Sequence, residues 1–345
     1  MRTNGKRAAW LVVVLFGAML LGACSNSPEG GGGGDAATNT PELKVGFPTT
    51  PDFDDLMTLA AVERLKASGW NIEPVFFNDP ETAFAALARG DTQLGFGAVV
   101  SALEAIQSGA KIKFLAQQQG GAPWAIVAKN EITTCDQLAD VRFALNSTGG
   151  TTTGYFKYWI AEQCSPEAAA RIKPLYIPGS ENRAAALTAG QIDATLLTPG
   201  DIAVLEGRSP GQFHTMVDFG DTGLGQLNSS VIAANESYIS GNRDTIVRFL
   251  ATVMKVYREA AADPTVLREY AERQQVQWSD QVAGALKQQF ENDEFLPELT
   301  ITEETVAFTI DFFTRYSGLQ AGLQAGQIMD DSVRTEAVSR PGDAA

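Results

Sequence analysis

Two segments one hundred residues apart decide the fold: VFFNDPETAFAALARGDTQLGFG at residues 75–97 and LYIPGSENRAAALTAGQIDATLL at residues 175–197. The spacing Glu-x3-Ala-Ala-Leu-x2-Gly begins at Glu81 in the first segment and at Glu181 in the second. In both, an Ala-rich helical pattern ends at a glycine and lies between two apolar, strand-like runs. A chance match is the alternative, because Ala-rich helices are common. The matched flanking runs favour two lobes that share one strand–helix–strand plan.

The rest of the chain continues this alternation. Outward from the two segments, β-like runs such as Leu43–Phe47 alternate with helical patterns, and amphipathic helical patterns follow from Arg243 to Ser317. Strands that alternate with helices predict mostly parallel sheets covered by helices on both faces. The predicted fold class is therefore α/β, with two lobes facing each other across a cleft. Ligands of such sheets bind beyond the carboxyl ends of the strands.

The composition excludes several classes of function. The chain has 345 residues, of which 26 are basic and 41 acidic, and its formal net charge is −15. A chain this acidic is not expected to bind nucleic acid or to dock electrostatically on anionic lipid. It contains one histidine, so histidine-based catalysis or zinc binding would rest on a residue without a partner. We expect no metal, no cofactor and no enzymatic activity.

The N-terminus predicts export. Three basic residues precede an apolar run from Ala8 to Leu21, which is short for a membrane span and typical of a secretory signal. The sequence Leu21-Gly22-Ala23-Cys24 resembles the lipobox of bacterial lipoproteins, in which the signal is cut before a lipid-modified cysteine. We therefore interpret residues 1–23 as a lipoprotein signal peptide and Cys24 as the lipid anchor. An ordinary signal peptide with a chance cysteine is the alternative.

Residues 24–42 are predicted to be a flexible tether. They are rich in Gly, Ser, Asn and Pro and include five consecutive glycines at 30–34, a composition that buries too little apolar surface to fold. The predicted location is extracytoplasmic, with the membrane contacted through the lipid anchor alone. In that oxidising compartment, Cys135 and Cys164 are predicted to form a disulfide, with two separately buried thiols as the alternative.

Four loops that follow predicted strands are expected at the cleft: 49–54, 97–101, 146–154 and 197–200. Small, hydroxyl-bearing, acidic and aromatic residues of these loops are candidate ligand contacts. Trp124 and Asn228 are added to them, because the chain is expected to cross between the lobes near these two residues. The candidates are Thr50, Phe53, Asp54, Gly97, Ala98, Trp124, Thr151, Thr152, Thr198 and Asn228. Thr151 and Thr152 follow glycines before a helical pattern, so one of them acting as a helix cap is the alternative. Trp124 filling the core is likewise an alternative to its stacking on a ligand.

The four loops contain no lysine or arginine. An anionic ligand would therefore be held by amides and hydroxyls, and a neutral or heteroaromatic ligand fits equally well. Asp52, Asp54 and Asp55 in the first loop also leave room for a ligand with a positive nitrogen. Their alternative role is to complement the dipole at the start of the next helix.

Several stretches, taken in order, resemble the nitrate/sulfonate/taurine type of periplasmic binding proteins, a family that includes binding proteins for thiamine-pyrimidine precursors. They are Leu43–Phe47 with Pro51-Asp52-Phe53, Ala86–Asp91 with Gly95-Phe96-Gly97, Gly150-Thr151-Thr152 before Tyr155, Ala186–Leu197, and Val231–Phe249. Two departures fall in the expected pocket. Leu197-Thr198-Pro199 stands where many members have Trp-Glu-Pro, and Trp124 stands where some taurine binders have an acidic ligand contact.

The resemblance implies a type II periplasmic-binding-protein clamshell. Lobe one would be 43–125 plus 229–330, lobe two 126–228, and 331–345 a disordered tail. The implied function is the extracytoplasmic solute-binding component of an ABC uptake transporter. It would be a monomer that closes on a small polar organic or oxyanion solute, sulfonate-, nitrate-, taurine- or pyrimidine-like, and then docks on an ABC permease. An enzyme resembling thiamine-pyrimidine synthases, which need a histidine and a cysteine-rich motif, is one alternative, and a ligand sensor without transport is the other.

Overall fold

The structure, a computed structural model, describes residues 42–340. The predictions for the signal peptide, for Cys24 and for the tether up to residue 41 lie outside the described residues, as do residues 341–345. The strands are β1 (Leu43–Phe47), β2 (Ile72–Phe76), β3 (Leu94–Ala98), β4 (Ile112–Gly120), β5 (Ala125–Lys129), β6 (Phe143–Leu145), β7 (Leu175–Tyr176), β8 (Ala194–Leu197), β9 (Phe213–Asp218) and β10 (Asn228–Asn235).

Helices connect and cover these strands. They are α1 (Leu56–Ala67), α2 (Pro80–Arg89), α3 (Val99–Gln107), α4 (Thr151–Gln163), α5 (Pro166–Arg171), α6 (Ser180–Thr188), α7 (Pro199–Arg208), α8 (Glu236–Ala262), α9 (Arg268–Gln274), α10 (Asp280–Glu291), α11 (Glu303–Tyr316), α12 (Ala325–Ile328) and α13 (Asp331–Val338). Short 3-10 helices lie at Cys135–Asp140, Phe219–Thr222 and Pro264–Leu267.

The strands form two five-stranded sheets with one shared plan. The first has the order β2-β1-β3-β10-β4 and the second β7-β6-β8-β5-β9. In each, the first three strands are parallel, and the fourth runs antiparallel to its neighbours. The α/β class and the two mostly parallel sheets are therefore confirmed.

The sequence repeat corresponds to a structural repeat within these sheets. Gly90 ends α2 with φ +82°, and Gly190 follows α6 with φ +67°. A side chain rarely adopts this left-handed conformation, which explains why glycine recurs there. The next residues along the chain also match, because Asp91 N donates to Ala86 O over 3.0 Å and Gln191 N to Ala186 O over 2.9 Å.

The repeat extends to a side-chain contact at the start of the next strand. Gln93 Oε1 accepts from Lys44 N over 2.7 Å, and Asp193 Oδ2 accepts from Arg142 N over 3.0 Å. Asp193 Oδ1 also accepts from Lys129 Nζ over 2.6 Å. The Arg142 guanidinium and the other donors hold the pKa of Asp193 well below its usual range. The same position thus ties neighbouring strands together in both sheets.

The chain passes between the sheets twice. The first sheet takes its strands from 43–120 and 228–235, and the second takes its strands from 125–218. The passages therefore lie within 121–124 and 219–227. The lobe boundaries at 125/126 and 228/229 stay a proposal. Among the described residues, no helix combines the length and apolar character needed to cross a membrane.

Helices α8 and α13 complete the apolar core that covers one face of the first sheet. Helix α8 packs against α1, and its buried face includes Phe249, which contacts Phe96 of β3 edge to face with centroids 6.1 Å apart. Helix α13 then packs against α8. The prediction of disorder from residue 331 is therefore corrected for 331–338. Val333 and Ala337 lie on one face at i, i+4 spacing and are buried there, which supplies the apolar contact that the sequence pattern did not reveal.

The predicted disulfide is present. Cys135 and Cys164 are bonded, and their Cα atoms lie 5.0 Å apart. The bond joins the 3-10 helix before β6 to the residue after α4, and Ser165 N donates to Asp136 Oδ1 over 2.7 Å beside it. The end of α4 is thereby fixed, while its start lies at the cavity described next.

Candidate functional site

One cavity gathers the loops at the carboxyl ends of strands from both sheets. Its volume is about 120 Å³. The first sheet supplies the β1–α1 loop, the β3–α3 junction, the end of β4 and the start of β10, and the second supplies the starts of α4 and α6. The lining residues are Pro48, Thr49, Asp52, Asp54, Asp55, Pro80, Gly97, Ala98, Gln118, Gln119, Trp124, Asn146, Gly150, Thr151, Thr152, Gly179, Ser180, Ser229 and Ser230.

Three carboxyl groups come from the β1–α1 loop. The loop is turned by Asp52, whose Oδ1 accepts from Asp54 N over 3.0 Å and from Asp55 N over 3.3 Å. Two glutamines at the end of β4 donate to the other two side chains. Gln118 Nε2 lies 3.3 Å from Asp55 Oδ1, and Gln119 Nε2 lies 3.4 Å from Asp54 Oδ1. Asp55 occupies the N-cap position of α1, but its side chain makes no cap bond there.

Burial raises the pKa of each of these carboxyl groups. The pKa of Asp54 rises to about 8, first because of burial and then because of repulsion by Asp55 and Asp201. Burial also raises the pKa of Asp52 and Asp55 well above the usual value, and in each case a neighbouring aspartate adds to the rise. Asp54 is therefore mostly protonated at neutral pH, and burial favours the protonated form of Asp52 and Asp55 as well, unless a positive charge joins them.

The start of α4 presents two unpaired hydroxyls. Its N-cap is Gly150, with φ +37° and no side-chain cap bond. Thr151 is 7% exposed and Thr152 is 4% exposed, and neither Oγ1 has a hydrogen-bond partner. Thr153 Oγ1, by contrast, donates to Ser147 O over 2.7 Å. The helix-cap alternative for Thr151 and Thr152 is therefore not what the structure shows.

A buried arginine fixes the loops of the second sheet. Arg183 of α6 has no exposed surface. Its Nε donates to Leu196 O over 3.1 Å, and its Nη1 donates to the carbonyl oxygens of Ile177 (3.1 Å) and Gly179 (3.0 Å). Nη1 also lies 3.3 Å from Asn146 Oδ1. Burial lowers the pKa of Arg183 to about 10, which leaves the guanidinium charged near neutral pH.

A second, larger cavity of about 370 Å³ lies beside the first. Asp52 lines both cavities, and Glu181 and Asp201 line the second. Phe53 lines the second cavity and lies against Gly200, the second residue of α7. Among the described residues, no group of three or more His, Cys, Asp and Glu side chains is arranged to hold a metal ion.

The sequence comparison decides the family. The model of the family described as "NMT1/THI5 like" matches residues 65–266, more than half of the chain. The chain belongs to the NMT1/THI5 like family. Comparison of the sequence with curated proteins found no match.

Solved structures with the same fold include sulfonate- and nitrate-binding proteins. The alkanesulfonate-binding protein SsuA from Xanthomonas axonopodis pv. citri, bound to MOPS, has a TM-score of 0.64 at 16% identity, covering 84% of this chain and 98% of its own. The aliphatic sulphonate binding protein SsuA from Escherichia coli has a TM-score of 0.59 at 18% identity, covering 85% and 92%. The nitrate-binding protein NrtA from Synechocystis PCC 6803 has a TM-score of 0.63 at 11% identity, covering 87% and 89%. The periplasmic-binding-protein fold is thus confirmed.

In this family member, the cavity includes six of the ten predicted contact residues. They are Asp54, Gly97, Ala98, Trp124, Thr151 and Thr152. Gly97 adopts φ +128°, and a Cβ there would lie 3.0 Å from Pro48 Cγ, so glycine is needed where the β3–α3 junction approaches the first loop. Contact of these six with a ligand stays a proposal.

Two predicted residues of the first loop lie elsewhere. Thr50 is exposed, and its backbone carbonyl accepts from Thr49 Oγ1 over 3.1 Å. Phe53 is 7% exposed and packs into the apolar core and against Gly200. Aromatic character in this loop serves packing between elements, so we leave both residues out of the proposed contacts.

The other two are held by side-chain bonds. Thr198 Oγ1 accepts from Asp201 N over 3.2 Å and caps α7, and it donates to Asp201 Oδ2 over 2.9 Å. The N and Nδ2 of Asn228 both donate to Thr309 Oγ1 of α11, over 2.9 and 3.3 Å. Asn228 has no exposed surface, while the next two residues of β10 line the cavity. Both residues are likewise left out.

Several residues of the site were missed from the sequence. In the lining they are mainly Gln118 and Gln119, together with Ser180, Ser229 and Ser230. Arg183 lies next to the lining and contacts Asn146. The run Gln117-Gln118-Gln119 carried a usable signal, because three consecutive amides interrupt an otherwise apolar strand. Arg183 carried none, since an arginine in an amphipathic helix is normally solvated.

Proposed function

We propose that this protein is the extracytoplasmic solute-binding component of an ABC uptake transporter. The observation that carries the proposal is the cavity of about 120 Å³, which is lined by loops from both sheets. A solute held there contacts both lobes, so it binds the closed form more tightly than the open form and shifts the protein toward closure. The closed form would then dock on an ABC permease as a monomer.

The comparisons support this proposal. The fold neighbours named above are alkanesulfonate-, sulphonate- and nitrate-binding proteins, and the family model matches the part of the chain that contains most of the cavity. For this chain we propose a small polar solute of the sulfonate, nitrate, taurine or pyrimidine-like classes. The proposed contacts are Asp54, Gly97, Ala98, Trp124, Thr151 and Thr152.

Attachment to the membrane through Cys24 belongs to the same proposal. It rests on the lipobox-like sequence at residues 21–24. Detergent phase partitioning of the wild type and of Cys24→Ser tests it, and recovery of both in the aqueous phase would remove the anchor from the account.

Two other functions are compatible with this fold. A thiamine-pyrimidine synthase-like enzyme would need a histidine in the site, whereas His214, the single histidine of the sequence, lies on the edge strand β9 and away from the cavity. The proposal is therefore a binding protein without enzymatic activity. A sensor without transport would bind its ligand identically and differs only in its partner.

A thermal-shift screen tests the proposal. The purified protein is heated with sulfonates, nitrate, pyrimidines, aromatic acids and small amines, because a ligand of the folded state raises its melting midpoint. At least one class should raise the midpoint and, in titration calorimetry, bind one molecule per chain. Saturable binding of none of these classes would contradict the proposal. Turnover of a bound compound would favour the enzyme.

A further inference from the structure

The charged groups around the cavity have one predominant sign. Asp52, Asp54 and Asp55 line it, and none of its lining residues is a lysine, arginine or histidine. Asp201 and Glu181 act on Asp52 from the second lobe, and Glu294 acts on Asp54. These last three carboxyl groups lie outside the lining of the cavity, and Glu181 and Asp201 line the second cavity instead.

Arg183 is absent from the lining of the cavity, although its guanidinium lies 5.8 Å from the ring centroid of Trp124. Its Nε and Nη1 are bonded to backbone carbonyls and Asn146, and its buried Nη2 has no hydrogen-bond partner. The carboxylates that act on its guanidinium are Asp201 and Glu181 of the second lobe. The three aspartates of the first loop therefore have no cationic partner within the lining of the cavity.

A second observation, independent of charge, points to a ligand that donates hydrogen bonds. Gln118 is 3% exposed, and because its Nε2 donates to Asp55, its Oε1 is the atom left for another partner. That Oε1 has no hydrogen-bond partner, and an amide oxygen can only accept. The unpaired hydroxyls of Thr151 and Thr152 line the same cavity and can accept as well.

We propose that the solute is a small organic cation with N–H groups, such as an amidinium, a primary ammonium or a protonated amino-heterocycle, held by Asp52, Asp54 and Asp55 and by Gln118 Oε1. Trp124 supplies an aromatic wall that suits a planar cation. This inference rests on the proposed function and narrows its solute class. It differs from the sulfonate and nitrate that the fold neighbours bind.

The lining also explains why the solute would drive closure. Asp52, Asp54 and Asp55 come from the first lobe, and Thr151 and Thr152 come from the second. A solute bonded to both groups makes its full set of contacts only in the closed form. Differential affinity for the closed form is the requirement for a ligand to shift the population.

Probes of equal shape and opposite charge test the inference. Acetamidinium, acetamide and acetate share one planar framework, and guanidinium and nitrate form a second matched pair. Thermal shift and calorimetry at matched ionic strength should show a higher melting midpoint with acetamidinium or guanidinium than with their neutral or anionic counterparts. Asp54→Asn should weaken binding of the responding cation at least about tenfold, the effect of losing one charge-assisted hydrogen bond.

Asp311→Asn is the matched control, because it removes the same charge from an exposed site on α11. It should leave cation binding unchanged. Preferential binding of nitrate, acetate or a larger sulfonate would overturn the inference and leave the proposed function standing. Equal cation binding by Asp54→Asn and the wild type, or stabilisation by Ca²⁺ or Mg²⁺ alone, would also overturn it. Binding of no solute class in the wider screen would overturn the proposed function itself.

Discussion

Phe53 of the first lobe lies so close to Gly200 of α7 that a Cβ on Gly200 would be 2.7 Å from Phe53 Cγ. The phenyl ring of Phe53 would have to move to accept a methyl group at that distance. Gly200 is therefore a small residue at a contact between the β1–α1 loop and the second lobe. The contact borders the cavity, since Asp52 lines it next to Phe53.

Gly200→Ala should weaken solute binding with little loss of stability. Alanine suits the first turn of a helix, but its methyl group pushes Phe53 away and disfavours the closed form. Calorimetry with the best compound of the thermal-shift screen measures the affinity. Gly284→Ala in α10 is the control, because nothing lies within 4 Å of a Cβ there. Equal affinities for the two variants would show that the contact plays no part in closure.

Replacing Thr151 and Thr152 together by valine should weaken binding of the same compound. Both Oγ1 atoms are buried without a partner, so each can accept or donate a bond in the complex. We expect a loss of roughly 1–3 kcal/mol, the range for a buried polar group left unpaired. An unchanged dissociation constant in a folded variant would mean that neither hydroxyl contacts the solute.

Arg183→Lys should destabilise the fold. An ammonium cannot reproduce the planar set of bonds to Leu196, Ile177 and Gly179, so buried carbonyls lose a donor. We expect the free energy of unfolding to fall by at least roughly 1.5–3 kcal/mol, the value of one hydrogen bond to a charged group.

Urea unfolding followed by circular dichroism measures this difference. The control is Arg89→Lys, in which the exposed pair with Asp91 changes and stability should stay within about 0.5 kcal/mol of the wild type. If both variants unfold at the same urea concentration, Arg183 does not hold the loops of the second lobe.

Stability without ligand should fall as the pH rises from about 4 to 8. The pKa of Asp54 is about 8 in the folded protein and near 4 in the unfolded chain, so between these values the folded state binds the extra proton. Glu294, with its pKa raised to about 7, acts in the same direction. Asp54→Asn should flatten the dependence of the melting midpoint on pH over this range. Parallel curves for variant and wild type would place the Asp54 pKa near its ordinary value.

The backbone plan was readable from the sequence because it follows from local rules. Glycines at residues 90 and 190 follow the repeated helices, and the alternation of strands and helices predicts the sheets. Cys135 precedes β6 and Cys164 follows α4, so both lie at the ends of these elements that are remote from the cavity. The loops that reach the cavity were predicted for the same reason. They follow strands whose carboxyl ends meet at one edge of a sheet.

The side chains of the site were predicted only in part, because their roles depend on contacts distant in sequence. Arg183 is buried where it donates to carbonyl oxygens of β8 and of the β7–α6 loop. Asn228 is bonded to Thr309, 81 residues away. Phe53 was a candidate ligand contact, yet it packs against Gly200 of the second lobe. Nothing in a single sequence states which distant group a polar side chain will meet.

A crystal structure of the complex with the compound that gives the largest thermal shift tests the central claim most directly. The account predicts density for one molecule between the two sheets, within hydrogen-bond distance of Asp54 or Gln118 from the first lobe and of Thr151 or Thr152 from the second. Density for the compound outside this cavity, or contacts to one lobe only, would contradict the account.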